Sequence, residues 1–183
     1  VSSVTQREAD LSAVRTVPIA RRPNKVRAEE FASPPPNGTR TFAAFLASLP
    51  DVLVARDFVR VIDAVADAKL RGRAVVVMLG GHVVKTGLAP LLVDLMRRGV
   101  ITHLAMNGSA AIHDYEVARF GGTSEDVAAG LRDGTFGMAE ETGRGLNEAF
   151  VAGMRDQRGM GEAVALALDT TPGLAHPELS VIL

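Results

Sequence analysis

Residues 74–108 read AVVVMLGGHVVKTGLAPLLVDLMRRGVITHLAMNG. Ala74–Leu79 is an unbroken apolar, largely β-branched run, which predicts a strand buried on both faces. Gly80 and Gly81 end it, and His82, Lys85, Thr86 and Gly87 follow in the connection. Leu88–Arg98 carries apolar residues at helical spacing and stops at Gly99. Val100–Met106 is a second apolar run and predicts a second buried strand, ending in the polar turn Asn107-Gly108-Ser109. Strand, helix and strand in so short a span make a βαβ unit, whose strands should run parallel with a right-handed crossover. The fold class expected is therefore α/β, with a parallel sheet flanked by helices.

The flanks supply the helices. Thr41 can cap a short helix over TFAAFLASLP, which Pro50 follows. In ARDFVRVIDAVADAKLRG, Phe58, Val61, Ile62, Val65 and Leu70 recur at helical spacing before Gly72. Beyond the second strand, AIHDYEVARFG predicts another helix. TSEDVAAGLRDG opens on Thr123 or Ser124 with acids behind it, a capping signature, and closes at Gly134. A long helix interrupted near Gly143–Gly145 and a final one over GMGEAVALALD complete the series. At the end, AHPELSVIL reads as a helix start with Pro177 at its first position. Leu179, Val181, Ile182 and Leu183 need a partner there, and the expectation is a chain cut short inside an element, with further sequence belonging downstream; the alternative is a terminal helix or strand docked on the core.

Two regions are distinguished by texture: an extended N-terminal arm over 1–40, and an α/β domain over 41–183. The arm carries seven Lys/Arg against four Asp/Glu and the stiff segment SPPPNG, with a short helix expected near Glu8–Val14. It reads as a solvated or domain-clasping arm. No aromatic residues are interleaved among its basic ones to stack bases, which argues against nucleic acid. The whole chain of 183 residues has a net charge of −1, so no overall field attracts polyanions. Apolar residues make up 47% and aromatics only 4%, a composition of Ala, Val and Leu that suits helices packed on a sheet. The absence of cysteine excludes disulfides and thiolate metal sites and favours a cytoplasmic setting. No apolar run approaches the ~18 residues of a membrane span.

In parallel sheets, ligands sit beyond the carboxyl ends of the strands. Both strands here end in turns suited to an anion: glycines for close backbone approach, and helix starts with free N–H groups. Gly80, Gly81, Thr86 and Gly87 belong to the first turn, and Asn107, Gly108 and Ser109 to the second. The first turn is not a P-loop, because Val84 stands where that motif requires glycine before Lys85. His82 suits either a phosphate or a turn cap. His113, Asp114 and Glu116 can serve as acid–base groups or as helix-start charges. His103, inside the second strand, reads as a core histidine and His176 as a cap. No spacing recommends a metal site, and Ser109 lacks a hydrolase nucleophile's setting.

The stretch VVVMLGGHVVKTGLAPLLVDLMRRGVITHLAMNGSAAIHDYE resembles the N-terminal core of the deoxyhypusine synthase-like family, including its bacterial relatives. The resemblance covers about Phe42 to Asp133 and is strongest from Val75 to Glu116. It implies an NAD-binding, Rossmann-like fold, homo-oligomers with shared active sites, and transfer or oxidation chemistry on an amine or other small substrate. By position, Thr86, Gly87, Asn107, Gly108 and Ser109 match cofactor-contacting residues, and His113, Asp114 and Glu116 stand near the family's acidic cluster. Where the family has consecutive acids this chain has HDYE. Its catalytic lysine belongs to a C-terminal half that nothing after Glu140 resembles, so Lys85 is not promoted to that role. The alternative expectation is a non-catalytic nucleotide-binding or assembly module.

Overall fold

A computed structural model describes residues 8–183. They divide into two compact units, one ending at Ile62 and one beginning at Asp63. Within the first unit lie 3₁₀ turns at Ile19–Arg21 and Ala28–Glu30, helix α1 (Phe42–Ser48) and the start of α2 (Leu53–Leu70). Thr41 caps α1, accepting from the Ala44 N–H at 3.1 Å, as its sequence predicts. Arg56 ties this unit together: its guanidinium donates to Asp51 Oδ1 at 2.7 Å and also to Glu30. Glu8–Val14 forms no helix.

The second unit contains the sheet. Strand β1 (Val76–Leu79) leads into α3 (Gly81–Lys85) and α4 (Ala89–Arg97), then β2 (His103–Met106). The two strands are parallel and in register from Val76↔His103 to Leu79↔Met106. Four helices follow: α5 (Gly108–Phe120), α6 (Val127–Asp133), α7 (Glu140–Arg155) and α8 (Met160–Asp169). Among the described residues the architecture is thus mixed α/β, with eight α-helices and one small sheet.

The sheet differs from expectation in extent and in cover: the strands span only Val76–Leu79 and His103–Met106 of the two runs. Leu79, Leu104 and Met106 pack on a buried apolar cluster and Val77 is half-buried, but Val76 is 58% and Met78 81% exposed. A strand's side chains alternate between its faces, and here only one face is covered. His103 pairs with Val76 and shares the open face. It is therefore exposed, 3.0 Å from Thr102 Oγ1 through Nδ1, and is not a core histidine.

Helix α5 is the hub, packing against α3, α7, α8 and the C-terminal segment. One apolar cluster joins Val84, Ala89, Val93, Ala110 and Val181 beneath the sheet. Another joins Tyr115, Ala118, Leu146, Ala149, Val164 and Leu168. Helix α7 runs unbroken through Gly143–Gly145. Gly145 fits there because any Cβ would overlap the Tyr115 hydroxyl and stand 2.9 Å from its Cζ. Similarly, α7 and α8 close on each other at Gly153, where a Cβ would overlap that of Ala163. The expected cap of α6 is displaced: Asp126, rather than Thr123 or Ser124, accepts from the Ala129 N–H at 3.0 Å.

The C-terminal segment docks on the core. Pro177–Leu179 forms a 3₁₀ turn, not an α-helix. Val181 is buried in the cluster beneath the sheet, and Ile182 packs on the other one. Their apolar side chains find the partner that the sequence demands within the same unit.

Candidate functional site

The register of the sheet builds the site. Because Leu79 pairs with Met106, Gly80 and Asn107 leave the strands side by side. A Cβ on Gly80 would lie 3.5 Å from Asn107 Nδ2. Gly81 is buried, and a Cβ there would overlap Ser109 Oγ and stand 2.9 Å from His113 Cδ2. The absent side chain at 81 is therefore what lets α3 dock on α5. The two glycine-bearing turns do meet, and they meet around Asn107, Ser109 and His113.

Asn107 starts α5 by accepting the Ala110 N–H at 3.1 Å. The other N–H groups of a helix's first turn have no partner within the helix, and the dipole favours negative charge there. Asn107, Gly108 and Ser109 are all exposed. Nothing lies within 4 Å of the position a Gly108 Cβ would occupy. This end of α5 has the room and the polarity for one phosphate group. The two cavities described in the chain open elsewhere. The larger, about 420 Å³, is lined by Val93, Met96 and Arg97 of α4 and by Pro177, Ser180 and Leu183.

Thr86 and Gly87 are not brought to this corner by a helix start. The chain turns helical at Gly81, immediately after β1, so both residues fall at the C-terminal end of α3. Gly87 has φ +88°, in the left-handed region. Its N–H donates to Val84 O at 2.9 Å and that of Leu88 to Val83 O at 3.2 Å. This is the Schellman pattern that stops a helix on glycine. The Thr86 hydroxyl is spent on His82 O at 2.6 Å. His82 is exposed on α3 and Lys85 half-buried at its end.

The HDYE segment divides by helical face. Asp114 points inward and is buried. Its carboxylate accepts from the Ser180 hydroxyl at 2.6 Å, the Val181 N–H at 2.8 Å and the Ile182 N–H at 3.3 Å. Burial raises its pKa above the ordinary carboxylate value, against the opposing pull of those three donors. Asp114 is a clamp on the C-terminal segment and is not available to a ligand at the strand ends.

His113 and Glu116 face the other way and form a network. His113 Nδ1 lies 2.7 Å from Thr123 Oγ1. The Thr123 hydroxyl donates to Glu116 Oε2. The other carboxylate oxygen, Oε1, accepts from the Thr142 hydroxyl at 3.0 Å. The His113 and Glu116 side chains are 16% and 17% exposed. Thr123 returns to α5 because Gly121, at φ +79°, ends the helix in the left-handed region and reverses the chain. Thr142 arrives from α7 and is buried.

Sequence reasoning did not single out Thr123 as a partner of His113, nor Thr142 at all. Thr123 follows a Gly-Gly pair that ends a helix, which is a readable signal for a chain reversal. Thr142 lies 26 residues from Glu116 and carries no local signal. Among the described residues, no three His, Asp or Glu side chains converge as metal ligands would. None of the described helices is long and apolar enough to cross a membrane. No family model, curated protein or solved structure matches the chain.

Proposed function

We propose that this chain is a Rossmann-like, NAD-binding domain of deoxyhypusine synthase type, acting on an amine or other small substrate. One observation carries the reading. Two parallel strands end in register, and their glycine and asparagine corners stand beside an open helix N-terminus. That is the placement expected of an anionic ligand at the carboxyl edge of a parallel sheet. Asn107, Gly108 and Ser109, with the first turn of α5, would hold a phosphate of the cofactor. Gly80 and Gly81 would admit its backbone contacts. Thr86 and Gly87 are left out of the assignment, because ending α3 occupies both. NAD, when bound, supplies a hydride acceptor. On this reading the chain's own part is to orient the substrate and to manage its protons, a role assigned to His113 and Glu116 and not to Asp114, which is taken up by the C-terminal segment. The cysteine-free composition supports a cytoplasmic setting.

The open sheet face favours a second reading, a non-catalytic assembly module. Val76 and Met78 present apolar surface that a homo-oligomer of this chain would cover. Titration with NAD by calorimetry separates the two. Saturable binding that weakens in Gly108→Asp supports the first reading, and absence of binding by a folded wild-type protein overturns it. Light scattering on the same samples tests the homo-oligomer.

A further inference from the structure

The larger cavity, about 420 Å³, lies away from the strand ends, among α4, the end of α8 and the C-terminal segment. Pockets for small molecules run to about 300–1,000 Å³. Val93, Met96, Pro177 and Leu183 give this one apolar walls. Arg97, Asp169 and Glu178 line it as well. Glu178 is held by His176 Nδ1 at 2.9 Å. Arg97 ends α4, and the acid nearest it on that helix, Asp94, is taken by Arg98 at 2.9 Å. Among the described residues neither Arg97 nor Asp169 has an ion-pair partner, and although they line one cavity they do not pair with each other. Asp169 is the last residue of α8, whose last turn carries no basic side chain. The C-terminus of a helix is the negative end of its dipole and favours a cation. Asp169 adds negative charge there instead. One wall of the cavity thus lacks a cation, another lacks an anion, and apolar surface belongs to the same space.

We propose that this cavity binds a small zwitterion with an apolar side chain, an amino acid of the leucine type. The ligand's carboxylate takes the Arg97 guanidinium, whose planar fork can hold both oxygens. The ligand's ammonium takes Asp169, where the end of the α8 dipole adds to the attraction. The apolar side chain lies on Val93, Met96 and Leu183. Ser180, also in the wall, is not free to join. Its hydroxyl donates to Asp114 at 2.6 Å, and its oxygen accepts from the Ile182 and Leu183 N–H groups at 3.2 and 3.1 Å. Arg97 and Asp169 are both exposed, so each ion pair contributes modestly. Selectivity comes from satisfying both charges and the apolar walls at once. No bond is made or broken.

Methyl NMR of the full chain, titrated with leucine, tests this. Leucine should shift the methyl signals of Val93, Met96 and Leu183 saturably. Isoamylamine lacks the carboxylate and isocaproate lacks the ammonium, and each should bind about two- to fivefold more weakly than leucine. Arg97→Gln should bring leucine down to the affinity of isoamylamine, and Asp169→Asn to that of isocaproate. Both side chains are exposed, so the variants should melt as wild type does. Absence of a saturable shift at those methyls in folded wild type overturns the proposal. So does equal affinity for leucine, isoamylamine and isocaproate, or leucine binding that neither substitution weakens. Failure of NAD to bind concerns the strand-end corner alone and leaves this cavity's assignment standing.

Discussion

Gly108→Asp separates ligand binding from folding at the proposed site. Gly108 is the first residue of α5, its side is open, and its backbone is not in the left-handed region. Aspartate ranks just above glycine in helix propensity, so the replacement gains only roughly 0.1–0.3 kcal/mol on that account. A carboxylate in the first turn gains about 0.3–1 kcal/mol more from the dipole. The variant should therefore melt no lower than wild type, and by these terms a few degrees higher. Ligand binding should go the other way. A carboxylate about 5 Å from a phosphate charge costs about 1 kcal/mol in water and about 3 kcal/mol at a partly desolvated site. That corresponds to roughly 5- to 150-fold weaker binding. Calorimetric titration with NAD measures the affinity, and a thermal melt on the same preparation measures stability. Equal NAD affinity in a variant that melts normally would refute the placement of a phosphate at α5.

Gly81→Ala should destabilise by about 1–3 kcal/mol in urea unfolding, because the methyl group meets Ser109 Oγ and His113 between packed helices. Adding Ser109→Ala should recover at least about 0.5 kcal/mol as a coupling energy, and strict additivity would contradict the contact. Gly145→Ala should cost a similar amount, about 1–3 kcal/mol, by displacing the Tyr115 hydroxyl from Arg119, 2.6 Å away. Tyr115→Phe in the same chain should recover part of it by removing the overlapped oxygen. For Asp114 burial holds the folded pKa above the ordinary carboxylate value of 3.8. The folded state thus holds this proton more tightly than the unfolded one, and its contribution is full below 3.8 and declines as pH rises through the raised value. Subtracting Asp114→Asn from wild-type unfolding free energies across that window should reveal a decline with pH, and a rise would show the three donors outweighing burial.

The βαβ core was legible because Ala74–Leu79 is apolar without interruption, Val100–Met106 is apolar apart from Thr102 and His103, and the runs are followed by glycine and asparagine. Continuity alone cannot tell a strand covered on both faces from one covered on one. Val76 and Met78 are as apolar as Val77 and Leu79, yet only the latter pair is partly buried. Local signals were sound where the chemistry is local, as at Thr41 and at Gly134. They failed where two readings compete within a few residues. Gly80-Gly81 and Gly87 both punctuate the first connection, and tertiary packing of α3 on α5 decided that the helix begins at the pair and stops at the single glycine.

The composition and its periodicity determined the α/β class, the parallel pair and the two polar corners, because each depends on neighbours a few residues apart. Only the tertiary structure separated the roles within HDYE. Asp114 binds donors 66–68 residues away, while Glu116 binds Thr142, 26 residues away. Helical geometry places residues two apart on different faces, but what waits on each face is set by chain closure over distances that no local pattern records.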